Sequence, residues 1–276
     1  MTDSFTTMIM LEIFQYEFMQ RAFIAGLLIS ILTPMLGAFI VARKASLLSD
    51  TFAHTALAGV GLGLLLDFNP ILGAAGVAVI ASLGIERIIE KSKLSNDAIQ
   101  AIFLSGGLAL AVLLTHLQDS ATIGFKAYLF GSILTVTWVE VWLLLGALVG
   151  MSLVIYKSYW PLLLISVNEP LAKAKGIKTN FYKTLLSLLT ALIVSLSLKI
   201  VGALLIGALI VLPVLTAAQF AKSFKQTLIG SVISSIVFVF TGLILSYFLD
   251  VPSGSAIVLF SIACFILSLL MKNIVK

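Results

Sequence analysis

The feature that most constrains this chain is the length of its apolar runs. Residues 23–41 carry no charge, and within 193–221 the only charge is Lys199. A helix needs roughly 20 apolar residues to cross the hydrocarbon core. In lipid only helices and closed barrels satisfy their own backbone groups, and these runs are too continuous for the alternating strands of a barrel. Charged residues make up 11% of the chain and hydrophobic ones 61%, against about 25% charged in an ordinary soluble domain. The expectation is an all-α integral membrane protein: a polytopic bundle of about eight or nine transmembrane helices forming a single domain, 1–276.

Window length places spans at 18–42, 47–66, 70–89, 97–117, 136–156, 179–198, 200–220, 227–248 and 254–271. The seventh is the weak member. It follows its neighbour with almost no loop and contains Gly202, Gly207 and Pro213. Read as a bent or broken unit with that neighbour, it reduces the count to eight. On an alternating path, 14 of the 17 Lys and Arg residues fall on one side, with Arg21, Lys126 and Lys199 the exceptions. By the positive-inside pattern that side is cytoplasmic. This puts the N-terminus outside and the C-terminus inside, and it accounts for the net charge of +5 without a nucleic-acid partner. Residues 1–17 read as an interfacial lead-in rather than a cleavable signal, since Asp3, Glu12 and Glu17 replace a basic n-region. Cys264 lies alone in an apolar run and reads as packing.

Chemistry concentrates at the start of the second span. Asp50 and His54 are four residues apart and share a helix face. Carboxylate oxygen and imidazole nitrogen are both ligands for divalent transition ions. A charged carboxylate inside a span costs about 2.5–3.5 kcal/mol on the insertion scale, so it normally faces a cavity, a partner or an ion. The alternative is that Asp50 caps the helix and His54 is a satisfied interior histidine. Two ligands fall short of the roughly four that zinc takes, so a second copy, another helix or water must complete the shell. Gly59 and Gly63 form a small-xxx-small pair, repeated at Gly146 and Gly150. Each is either a contact between copies or ordinary packing.

The stretch 166–177 is too polar to span. Asn168 can cap a helix there, Pro170 suits its first turn and Gly176 its stop, and Lys173 and Lys175 favour its C-terminal end. It reads as a short cytoplasmic helix for docking a partner, or as a plain connection. His116, three residues before Asp119, reads as a solvated loop pair or an outer metal-collecting site. No phosphate loop is present, so any ATP-driven step belongs to another chain.

The stretch 43–63, RKASLLSDTFAHTALAGVGLG, resembles the signature of bacterial ABC metal-cation permeases, the membrane subunits of zinc and manganese importers. The segment NEPLAKAKGI is similar to that family's coupling helix, and GALLIGALIVLPVLTAAQFA to its proline-containing apolar block. The opening MLEIFQYEFMQRAF resembles the zinc branch. This resemblance implies a non-enzymatic permease in the bacterial cell membrane, working as a homodimer with two cytoplasmic ATPase subunits and an extracytoplasmic solute-binding protein. It implies that Asp50 and His54 ligate the transported ion, Zn2+ or alternatively Mn2+ (or iron), with no permanent cofactor. It implies that Asn168, Glu169, Pro170, Leu171, Ala172, Lys173 and Lys175 form the ATPase contact. Two readings compete. A stand-alone secondary transporter would need paired broken helices in repeated halves, and no clear internal repeat is seen. An intramembrane hydrolase would need a second acid beside Asp50.

Overall fold

The computed structural model describes residues 16–117, 121–131 and 133–275. The lead-in at 1–17 therefore lies almost wholly outside the described residues, as does Asp119. All regular structure among the described residues is helical. The order is α1 (Glu17–Ala42), α2 (Leu47–Leu65), α3 (Pro70–Lys91), α4 (Asn96–His116), α5 (Ala121–Phe130), a 3-10 turn (Ile133–Thr135) and α6 (Trp138–Val167). Then follow α7 (Glu169–Ala174), α8 (Thr179–Val201), α9 (Ile206–Ala218), α10 (Phe224–Leu249) and α11 (Ser253–Val275).

Local chemistry sets many of these boundaries. Asn69 accepts from the Ile71 and Leu72 amides, with Pro70 in the first turn of α3. Thr137 and Glu140 cap α6 reciprocally. Left-handed residues close three helices, Lys44 after α1 (φ 58°), Asp67 after α2 (φ 50°) and Asp250 after α10 (φ 52°).

Among the described residues, seven helices are long and apolar enough to cross a membrane: α1, α3, α4, α6, α8, α10 and α11. At 19 residues, α2 has nearly the length, about 28 Å, but Asp50, His54 and glycines 59, 61 and 63 dilute its apolar character. It is sheltered instead, lying against α3, α4, α8 and α9. The centre of the bundle is α1, with 72% of its most apolar window buried, and α8, with 61%. In the outer helices the buried share is about a third or less. Their free faces carry Ile80, Ile102, Trp142, Ile233 and Leu259, an apolar exterior suited to lipid rather than water. On α6, the exposed Trp138 and Trp160 stand about 33 Å apart along the helix, close to the hydrocarbon thickness and placed like interfacial anchors. The span expected at 136–156 is therefore a longer helix of 30 residues, whose last turns run on toward α7.

Two departures from the sequence reading meet at one point. The seventh span, expected at 200–220, is a 13-residue helix, α9, about 20 Å long and too short to cross. A break at Gly202 (φ +91°) separates it from α8. The segment 121–130, read as part of a loop, is the ten-residue helix α5. Neither crosses alone, and they join head to tail. Ala203 N–H donates to the Tyr128 carbonyl at 3.0 Å and Leu204 N–H to that of Leu129 at 3.3 Å. The last carbonyls of α5, which have no partner inside their own helix, are satisfied by the amides leading into α9. Gly131 (φ +70°) and Gly202 cross there backbone to backbone, and a Cβ on Gly202 would stand 2.6 Å from the Gly131 nitrogen. The break lies at Gly202, where the broken-unit alternative puts it, but α9 is joined end to end with α5 and not fused with α8, which is long and apolar enough to cross on its own.

Candidate metal site

The second helix begins at Leu47 and no earlier, so Asp50 lies in its first turn. Ser46 occupies the N-cap position and no side-chain bond closes that end, so Asp50 is not the cap. His54 sits one turn further along the same face. Both are partly exposed, while the intervening Thr51 and Phe52 and the following Thr55 are buried. Thr51 donates to the carbonyls of Leu47 (3.0 Å) and Gln100 (3.3 Å), which ties α2 to α4. Among the described residues, the buried Nδ1 of His54 has no hydrogen-bond partner, and no hydrogen bond or ion pair reaches the Asp50 side chain. A satisfied interior histidine would have its ring nitrogens paired. An unpaired imidazole nitrogen one turn from an unpaired carboxylate fits a ligand pair waiting for a cation.

Glycines bring neighbouring backbones against this stretch. A Cβ on Gly107 of α4 would stand 2.8 Å from the Thr55 nitrogen and 2.9 Å from the His54 carbonyl. A Cβ on Gly207, in the first turn of α9, would overlap Oδ1 of Asp50 and stand 2.6 Å from its Cγ. In the sequence Gly207 stands only as a weakness in an apolar helix, and nothing marks Gly107. Gly59 and Gly63 are occupied within the chain, packing on Gly73, Ala74 and Pro70 of α3. Gly146 and Gly150 of α6 face open space.

Among the described residues no group of three or more His, Cys, Asp and Glu side chains forms a cluster able to hold a metal. His116 ends α4 and is exposed, nine residues beyond Gly107, or about 13 Å of helix. It does not join Asp50 and His54.

Three polar ties hold the frame around α2 and lead to the predicted docking helix. Arg43, just before α2, reaches Glu86 of α3 at 3.3 Å, and Ser187 of α8 donates to the same carboxylate oxygen. Asn180 of α8 donates to Glu90 of α3 at 2.6 Å. Lys183 of α8 pairs with Glu169, the first residue of α7. The docking segment expected at 166–177 is a six-residue helix, with residues 166 and 167 finishing α6. Asn168 accepts from Leu171 N–H at 3.1 Å, Pro170 takes the first turn, and Gly176 (φ +75°) ends it. Lys173 pairs with Glu169 at 2.8 Å; Lys175 and Leu171 are exposed and Ala172 is buried. Partial burial would raise the Glu169 carboxyl, but the hydrogen bonds from Lys173 and Lys183 outweigh it and hold the group below its ordinary range. At the other end of the bundle, Lys199 pairs with Glu140 at 2.7 Å. Each is a lone charge in an apolar run, the pattern that demands a partner.

Residues 15–272 match the ABC 3 transport family. The chain is 32% identical over 260 residues to the high-affinity zinc uptake system membrane protein ZnuB of Haemophilus influenzae, covering 94% of this chain and 99% of that one. It is 35% identical over 253 residues to the manganese import system permease protein ScaB of Streptococcus gordonii, covering 92% and 91%. Among solved structures, PsaBC from Streptococcus pneumoniae in complex with Fab superposes with a TM-score of 0.85 at 31% identity, over 95% of each chain.

Proposed function

The chain belongs to the ABC 3 transport family as a metal-ion permease, and from that premise we propose that it carries zinc, with Asp50 and His54 as the ligands inside the pathway. The observation behind the ligand assignment is the unpartnered Nδ1 of His54 beside the unpaired Asp50. The donor set admits zinc, and the relative named for zinc uptake supports that choice. Two copies of the chain supply two imidazoles and two carboxylates, a complete four-coordinate N and O shell of the kind zinc takes. In this reading the chain works as a homodimer, with the ion held between copies.

The solute-binding protein delivers the ion from outside, and the two ligand pairs replace part of its hydration shell. The cytoplasmic ATPases dock on α7 and its neighbours, residues 168–175, and ATP binding and hydrolysis there alternate the access of the pathway. The C-terminus is cytoplasmic, by the lysine and arginine distribution. The permease makes and breaks no bond in its cargo. Intermediate affinity suits the task, since the ion must also leave.

Manganese is the second reading. The relative from S. gordonii, named for manganese import, is as similar as the zinc relative, and the carboxylates would suit manganese with added waters. Uptake of each metal by the reconstituted complex separates the two. Asp50→Ala and His54→Ala should each abolish uptake while the chain still inserts and assembles. Wild-type transport by the double alanine variant would exclude the site.

A further inference from the structure

The contact between Asp50 and Gly207 is closer than any side chain on α9 would allow. Beyond the overlap with Oδ1, a Cβ at position 207 would lie 2.6 Å from Cγ and 3.1 Å from Oδ2. The whole carboxylate therefore lies over the first turn of α9, where a side chain would otherwise stand. That turn begins four residues after the break at Gly202, so the position of Gly207 is set by the seam between α5 and α9. Aspartate has two side-chain torsions, and on α2 alone the carboxylate would be free to rotate away from His54.

We propose that Gly207 is a positioning residue of the ion pathway: its missing side chain is the seat that fixes the Asp50 carboxylate. The proposal rests on the reading of Asp50 as a cargo ligand. The seat is at the positive end of α9, where the helix dipole favours an anionic group. That end holds the carboxylate while no ion is bound and competes for it when one arrives, which moderates affinity. It also gives α9 a role in release, because displacing the short helix along its axis unseats the ligand.

The experiment is a cycle of four chains in the assembled complex: wild type, Gly207→Ala, Asp50→Ala and the double variant. Zinc binding by titration, zinc uptake and the metal-free melting temperature are measured for each, and the KM of uptake is compared between wild type and Gly207→Ala. Gly207→Ala should weaken zinc binding and raise KM roughly 10-fold or more, the size of effect of a lost ligand-orienting partner. The double variant should bind zinc no worse than Asp50→Ala, and the melting loss caused by Gly207→Ala should shrink when Asp50 is alanine. If Gly207→Ala does not accumulate, recovery of expression by adding Asp50→Gly supports the seat, and failure to recover overturns it. An equal melting loss in both backgrounds means ordinary helix packing and overturns the proposal, as does an unchanged KM alongside an inactive Asp50→Ala. Normal uptake by Asp50→Ala overturns the ligand reading itself, which is a separate result.

Discussion

Replacing Glu86 tests how α2 is held beneath the ion site. Glu86 is 7% exposed and the Arg43 side chain 11%, so both charges are largely out of solvent. One guanidinium nitrogen, Nη2, reaches the carboxylate at 3.3 Å, while the buried Nη1 has no partner. Glu86→Ala leaves that cation buried and also strips Ser187 of its acceptor. Breaking a buried pair costs about 3–5 kcal/mol, and a single long contact argues for the lower end, about 3 kcal/mol. Glu86→Gln keeps an acceptor for Ser187 and loses only the charge, about 1–3 kcal/mol. The paired replacement Arg43→Met with Glu86→Leu removes both charges and should recover most of the loss. At about 2–4 °C per kcal/mol for large chains, Glu86→Ala should lower the melting temperature in detergent by about 6–12 °C. Tryptophan fluorescence of the purified chain follows the transition. A shift of less than about 2 °C, or a double variant melting as low as the worse single, would show that the pair does not anchor α2.

Gly59→Ala should destabilise the single chain by about 1–3 kcal/mol, because the new methyl overlaps the Gly73 carbonyl and lies 2.7 Å from the Ala74 Cα, both backbone. Gly146→Ala meets nothing within 4 Å and should not, so equal melting losses would refute packing within the chain as the role of the first pair. The tie between α7 and α8 through Glu169 should depend on acid. With its folded value held below 4.5 by Lys173 and Lys183, its contribution is fully present above that value and disappears as pH falls through the folded one. Amide protection in α7, corrected for intrinsic exchange, should drop on acidification, and Lys183→Met should produce the same drop at neutral pH. Protection that is flat with pH and insensitive to Lys183 would remove the tie.

What the sequence made legible was local. The long crossings follow from run length, and the Asp50–His54 pair from helical spacing. The docking helix announces itself through Asn168, Pro170 and Gly176, all within nine residues of one another. What escaped depends on residues far apart in the chain. Glu86 meets a partner 43 positions away and Glu140 one 59 positions away. Gly207 looked like a flaw in an apolar helix because the carboxylate filling its space comes from α2. Helix α9 looked like a span because a window counts apolar residues without registering the turn at Gly202. Helix α5 was missed for the converse reason: ten residues make no window, and its closing partners lie beyond α8.

The joint between α5 and α9 also bears on how such a chain is made. Tyr128 and Leu129 emerge 75 residues before the amides of Ala203 and Leu204 that satisfy their carbonyls, a delay of roughly 4–15 s at ordinary rates of synthesis. An unsatisfied carbonyl costs several kcal/mol in hydrocarbon, so during that interval α5 cannot be released into lipid. It must wait at the bilayer surface or inside the insertion machinery while α6, α7 and α8 are threaded past it. Insertion of this protein is therefore not a series of independent crossings: one membrane passage is assembled from two pieces, and it closes only when α9 arrives.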